Sequence, residues 1–251
     1  MTLAAAIFRS LATSLIAIAA QPHLAAQFVT RLSPETDRAF DAYVKAEESK
    51  MNWKARIQPE AGSISVNAGS ANALVEVKDG FVHDWIAAAV VPGGTVVRTL
   101  AVLQDYGNYK AIYKPDVTES KVLGREGNRW RAFLQLRKRK ILTVLLNSEY
   151  AVDYKALDAG RWAVASRSTR IAELENGQEL PVGTGYGFLW RVNVYWLLEP
   201  RPGGVYIEAR AISLSRDVPP GLAWAIKPMI TTVPRQSLEE TLQATVRALR
   251  R

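Results

Sequence analysis

The chain has 251 residues, 48% of them hydrophobic and 22% charged, which is ordinary for a globular protein and enough for one good core or two small ones. It has no cysteine and only His23 and His83, which excludes a disulfide framework, a Cys-ligated zinc and a lipidated N-terminal Cys, and argues against a His-rich metal site. Thirty-two Lys and Arg against 24 Asp and Glu give a net charge of +8, a balance that suits an anionic membrane surface or nucleic acid as partner.

The chain opens on a targeting pattern. Arg9 precedes an apolar run over residues 11–20, Ala17-Ile18-Ala19 has the small-x-small form of a cleavage site, and Ala25-Ala26 is a second candidate. The run is too short to span a membrane comfortably. Residues 1–26 are expected to be a signal peptide, with the mature protein periplasmic or secreted and beginning between Ala20 and Phe28.

A helix is predicted over residues 33–53. Ser33 caps it, Pro34 suits the first helical position, and Glu35 and Asp37 suit its positive end. Phe40, Tyr43, Val44 and Met51 supply an apolar face. Residues 56–73 are rich in Gly, Ser, Asn and Pro and read as an irregular crossing. The expected division is therefore a helix and linker over 27–73 and a main domain over 74–251.

Residues 74–78 alternate as a strand, Asp79-Gly80 signals a hairpin or bulge, and 81–91 continue as a strand containing Trp85. Thr95 then caps a helix running to about Asp105, with Val96, Leu100 and Leu103 inward, and Tyr106-Gly107-Asn108-Tyr109 ends it. Four antiparallel strands are predicted at 117–125, 129–137, 141–155 and 161–174, with turns at Glu126-Gly127-Asn128 and Asp158-Ala159-Gly160. The basic run Arg137-Lys138-Arg139-Lys140 is the tip of one of these hairpins. After a polar loop over 175–185, two more strands follow at 188–199 and 204–214.

The last stretch, 220–251, is a long amphipathic helix. Leu222, Ala225, Ile226, Met229, Leu238, Leu242, Val246 and Leu249 fall on one face, and Arg235, Glu239, Glu240, Arg247 and Arg250 on the other. Asp217 and Pro219-Pro220 suit its start, and Pro228 and Pro234 should kink or split it. Such a helix needs an apolar surface, and the strands supply it. The expected class is α+β, with a curved antiparallel sheet wrapped around a long C-terminal helix.

This order resembles the START-like, helix-grip superfamily of polyketide cyclase-like, coenzyme-Q-binding and lipid-transfer domains. The stretches that carry the resemblance are Phe81-Val82-His83-Asp84-Trp85-Ile86, Leu103-Gln104-Asp105-Tyr106, Gly187-Phe188-Leu189-Trp190-Arg191 with Tyr195-Trp196, Gly204-Val205-Tyr206-Ile207-Glu208, and Leu214-Ser215-Arg216-Asp217 leading into the last helix. They cover about residues 74–249 and look nearest to exported bacterial members without an assigned activity. The resemblance implies an apolar cavity between sheet and helix, and no universal catalytic residues.

Strand alternation names the cavity face. On 188–199 it is Trp190, Val192, Val194, Trp196 and Leu198; on 204–214 it is Val205, Ile207, Ala209, Ala211 and Ser213, whose small members leave room beneath the helix. On 129–137 it is Trp130, Ala132, Leu134 and Leu136. A tight turn at Lys138-Arg139 would bring Ile141, Thr143, Leu145, Asn147 and Glu149 inward, and the next turn would add Ser166, Ser168 and Arg170. A buried Glu149 needs a partner, and Arg170 is the nearest, with Asn147 and Ser168 completing a network. This cluster is either a polar anchor for a ligand headgroup or a satisfied ion pair; a bulge would turn it outward. Trp85 and Trp224, with the other tryptophans, either pack the core or line the pocket.

Three functions compete at this level. The first is binding or carriage of a lipid or other hydrophobic small molecule, with no cofactor. The second is a cyclase- or hydrolase-type reaction with Glu149 as a general base whose pKa burial raises. The third is an envelope interaction protein using the basic surface and the helix from Ser33. Nucleic acid is not an expected partner, because basic residues are not interleaved with exposed aromatics along one face.

Overall fold

The structure is a computed structural model and describes residues 29–60, 62–139, 143–218, 227 and 230–250. In chain order the elements are β1 (Thr30–Arg31), α1 (Pro34–Ser49), β2 (Ile64–Ala68), β3 (Leu74–Val77), β4 (Gly80–Pro92), α2 (Val96–Gln104), a 3-10 turn (Tyr106–Asn108) and α3 (Tyr109–Ile112). They continue as β5 (Val117–Glu126), β6 (Arg129–Arg139), β7 (Thr143–Ala156), β8 (Trp162–Glu175), β9 (Gln178–Glu179), β10 (Thr184–Gly185), β11 (Arg191–Arg201), β12 (Gly204–Arg216) and α4 (Val233–Leu249).

Local chemistry sets several of these boundaries. Ser33 Oγ accepts from the backbone N–H of Thr36 at 3.1 Å, with Pro34 in the first turn of α1. Thr95 Oγ1 accepts from the N–H of Arg98 at 3.2 Å and starts α2. Asp79 takes a positive φ of 55° to close the β3–β4 hairpin on Gly80. Pro234 lies in the first turn of α4, where its missing donor costs nothing, and the chain turns at Thr232 just before it. The expected break at Pro234 is therefore a helix start. Residues 219–226, 228 and 229 lie outside the described residues, and so do the signal-peptide stretch and Trp224.

The described residues form a ten-stranded sheet in the order β2-β4-β12-β11-β8-β7-β6-β5, with β3 also on β4 and β9 on β8, and its pairings are antiparallel throughout the described residues. The stretch expected to be an irregular crossing contributes β2, which pairs Ile64–Ala68 against Ala89–Trp85. β1 pairs with β10 in a separate two-stranded sheet.

The concave face buries the main core. Ala87, Ala89 and Val91 of β4 and Val205, Ile207 and Ala209 of β12 meet Leu238, Leu242 and Leu249 of α4. The line 238, 242, 245, 249 follows helical spacing, so α4 lays one stripe on the sheet. α2 and α3 fill the same side with Leu103, Tyr106, Tyr109 and Tyr113.

The convex face is covered by α1. Phe40 and Val44 pack against Val82, Tyr195, Ile212 and Leu214. Beside them sits a buried charge cluster: Arg210 grips Asp84 through Nε, at 2.7 Å, and Nη2, and reaches Glu47 of α1 through Nη2 at 2.7 Å. Tyr43 donates to Asp84 at 2.8 Å. Burial opposes the charge on Arg210, but its bonds to Asp84 and Glu47 outweigh this and hold its pKa raised. Among the described residues no helix is long and apolar enough to cross a membrane.

Candidate functional site in the concave face

The registers place the concave side chains in rows across the strands. Trp196 pairs with Ala209 and Val164, and Ala209 with Ala87; this row is sealed beneath α4. In the next row Val194 pairs with Ala211 and Ser166, and Ala211 with Trp85. In the row after that Val192 pairs with Ser213, and Ser213 with His83. Trp85, Ala211, Val194, Val192 and Ser166 are only half-buried, although they lie on inner strands of the sheet and on its covered side. They keep part of their surface accessible to solvent. Leu134 and Leu136 of β6 extend the same half-buried surface toward the β5 edge.

Uncharged polar groups punctuate this wall. Ser168 is buried and accepts from the N–H of Val192 at 3.0 Å. Ser148 donates to the carbonyl of Leu134 at 2.8 Å. His83 Nε2 and Ser215 Oγ lie 2.8 Å apart in a buried hydrogen bond. Burial alone pushes the His83 imidazole down to about 4, so it is neutral at physiological pH.

The end under α2 and α3 is closed by tyrosines. Tyr109 and Tyr154 both donate to the carbonyl of Leu103, at 2.6 and 2.9 Å. Tyr113 shares a hydrogen bond with Thr245 of α4 at 3.1 Å, and Trp130 meets Tyr154 edge-on at 5.4 Å. Burial raises the phenol of Tyr113 to about 12, and Tyr150 to about 12 as well. These groups stay protonated and pack as core. A further cleft of about 200 Å³ opens where β2 and β4 meet α4, bordered by Ile64, Ala89, Gln243, Val246, Arg247 and Arg250.

Several residues placed in the cavity by alternation lie in this wall: Trp85, Trp130, Leu134, Ser168, Val194, Trp196, Ile207 and Ala209. Four do not. Trp190 precedes β11 and packs on the convex side with Phe40 and Leu214, its N–H held by the carbonyl of Leu214 at 2.7 Å. Asn147 and Glu149 point outward because β6 runs to Arg139, which pairs with Thr143, so the inward set on β7 is Val144, Leu146, Ser148, Tyr150, Val152 and Tyr154. A one-residue slip moves every side chain to the other face. Arg170 points outward because a bulge at Thr169 shifts β8 against β7 between Ser168 and Arg170.

Glu149 and Arg170 are still cross-strand neighbours, but Arg170 binds Glu179 through both ends of its guanidinium, and Asn147 donates to the same carboxylate at 2.8 Å. This is a half-exposed outer cluster. A double-mutant cycle with Glu149→Gln and Arg170→Met, read by urea midpoint, should show coupling of at most about 1 kcal/mol. A coupling of several kcal/mol would mean that the pair is buried after all.

The tyrosine group was missed in the sequence, where Tyr106 and Tyr109 read as a helix end. Their signal was spacing: positions 106, 109 and 113 recur as one helical face.

The sequence matches no family model and no curated protein. Solved structures do resemble it. A STAR-related lipid transfer protein from Xanthomonas axonopodis superposes with a TM-score of 0.54 at 17% identity, over 77% of this chain and 97% of that one. Human StAR-related lipid transfer protein 5 gives 0.52 at 13% identity, over 86% and 96%. The Zhui aromatase/cyclase from a Streptomyces species gives 0.50 at 13% identity, over 68% and 94%. The fold is START-like. The antiparallel sheet and the C-terminal helix α4 are the two parts of the helix grip, as the sequence order implied. At these identities the likeness carries the fold and leaves the ligand to the residues of the concave face.

Proposed function

We propose that the protein binds a hydrophobic small molecule in the concave face, between the sheet and the C-terminal helix. The observation that carries this is the half-buried group of Trp85, Val192, Val194 and Ala211 on inner strands, beside a row, Ala87, Trp196 and Ala209, that is fully buried. Apolar side chains left partly uncovered there gain on the order of 25 cal/mol per Å² when a ligand covers them. Lipid-transfer and aromatase/cyclase proteins among the structural neighbours are in keeping with this reading. The reaction envisaged for Glu149 loses its support, since that side chain faces outward. Glu173, a buried carboxylate of β8, accepts the N–H groups of Tyr186 and Gly187 at 2.6 and 2.8 Å and serves to hold a loop.

The test is a space-filling substitution. Ala209 is sealed, so a large residue there would disrupt the core; Ala211, one row along, is only half-buried. Ala211→Trp should cost roughly 1–3 kcal/mol of stability and abolish uptake of Nile red, a neutral apolar dye. A variant with an unchanged circular dichroism spectrum and unchanged dye binding would contradict the site.

Export belongs to the same reading and rests on the pattern of Arg9, the apolar run 11–20 and the small residues after it. N-terminal sequencing of the protein from fractionated cells should find a chain beginning between Ala20 and Phe28 in the envelope fraction. An intact Met1 in the cytoplasmic fraction would exclude export.

A further inference from the structure

The cleft of about 200 Å³ where β2 and β4 meet the end of α4 is separate from the concave ligand face. Its Ala89 lies about 13 Å along β4 from Trp85, and the fully buried pair Ala87 and Ala209 comes between them. Ile64, Ala89 and Val246 give the cleft apolar walls, and Gln243, Arg247 and Arg250 give it a polar rim. Its volume is below the roughly 300–1,000 Å³ of a pocket for a drug-sized molecule, so it suits a single ring or a short branched chain.

The rim carries two guanidinium groups without a counter-charge. Arg247 and Arg250 are exposed and make no ion pair or side-chain hydrogen bond among the described residues. One turn earlier on α4, the positions that could hold an acid for them are Gln243, Ala244 and Val246. Arg235, by contrast, has Glu239 at 3.2 Å one turn further on. Glu60, the acid nearest in the chain to the Gly62–Ser63 side of the cleft, bonds to neither arginine. The dipole of α4 favours cations at its C-terminus. That accounts for the two arginines and not for the apolar cleft beside them, and two like charges a turn apart repel each other until an anion joins them.

We infer that this cleft is a second binding site, for a small organic acid whose apolar body rests on Ile64, Ala89 and Val246 and whose carboxylate is met by Arg247 and Arg250. A guanidinium fork matches the two oxygens of a carboxylate and is weakly hydrated, so it gives up little to meet one. The bound acid ties the end of α4 to the edge strand β2, whatever the concave face holds. An uncharged molecule of the same shape keeps the walls and loses the arginines; a bare anion keeps the arginines and loses the walls.

The experiment is a fluorine NMR titration of the full-length protein, near neutral pH, with 4-(trifluoromethyl)benzoate and with the matching benzyl alcohol. The benzoate should bind with a dissociation constant on the order of 1 mM, and the alcohol at least about tenfold more weakly. In Arg247→Gln and in Arg250→Gln, benzoate affinity should fall about threefold to tenfold. Arg235→Gln, on the same helix, and an excess of Nile red should leave it unchanged. An equal loss in Arg235→Gln, or displacement of the benzoate by an equal concentration of inorganic phosphate, would reduce the rim to diffuse positive charge and overturn the inference. Displacement by Nile red would move the acid to the concave face and overturn it as well, and so would the absence of saturable benzoate binding.

Discussion

Arg210→Met should destabilise the protein by about 3–5 kcal/mol. Arg210 is almost fully buried on the convex face, and its guanidinium is shared between Asp84, which has no exposed surface, and Glu47 of α1. Removing it leaves Asp84 with the Tyr43 hydroxyl and without its ion-pair partner. Gly69 packs so closely that a Cβ there would lie 1.9 Å from Asp84 Oδ1, so the carboxylate has no room to turn toward water past that backbone. Glu47 retains Lys50 at 2.7 Å and should suffer less. The double replacement Asp84→Leu with Arg210→Met should recover much of the loss, since an apolar pair of similar volume avoids burying charge. Urea midpoints of the two variants measure this; a loss under about 1 kcal/mol for Arg210→Met would show that the cluster is solvated.

The second large effect is on acid stability and comes from His83. Its folded-state pKa is lowered from 6.5 to about 4 by burial. The unfolded chain therefore takes up a proton that the folded one refuses. The stability due to the neutral ring is complete above pH 6.5 and is lost as the pH falls from there toward 4, by roughly 3 kcal/mol in all. Glu173 works in the opposite sense: burial raises its pKa, so falling pH relieves a penalty. Subtracting the profile of His83→Gln isolates the imidazole. The native protein should lose about 3 kcal/mol more than the variant between pH 6.5 and 4; parallel profiles would place His83 in contact with water.

Much of this architecture was legible in the sequence because it rests on local chemistry. Ser33, Thr95 and Asp79-Gly80 mark their boundaries by the hydrogen bonds and backbone angles those residues favour. β11 and β12 could be assigned to faces because Val192, Val194, Trp196 and Leu198 alternate with Arg191, Asn193 and Tyr195, and because the turn at Pro202-Gly203 is short. The face of β7 was not legible. Its residues are mixed on both sides, so its orientation hung on the length of one hairpin, and pairing Arg139 with Thr143 reversed it. The bulge at Thr169 has no sequence signature of its own, and it separated Ser168 from Arg170. The position of α1 was a different kind of gap. Phe40 and Val44 showed that the helix must bury a face, but only the pairing of β4 with β12 brings Val82, Ile212 and Leu214 together as the surface it covers.

The ligand site depends on the concave wall being occupied from within, and photolabelling measures that directly. A long-chain alcohol bearing a diazirine, bound to the full-length protein, irradiated and mapped by peptide mass spectrometry, should label the segments around Trp85, Val192–Val194 and Ala211, and an excess of unlabelled alcohol should suppress it. Saturable labelling confined to the convex face, or to exposed surface such as Val97 and Val182, would contradict a ligand site between sheet and helix.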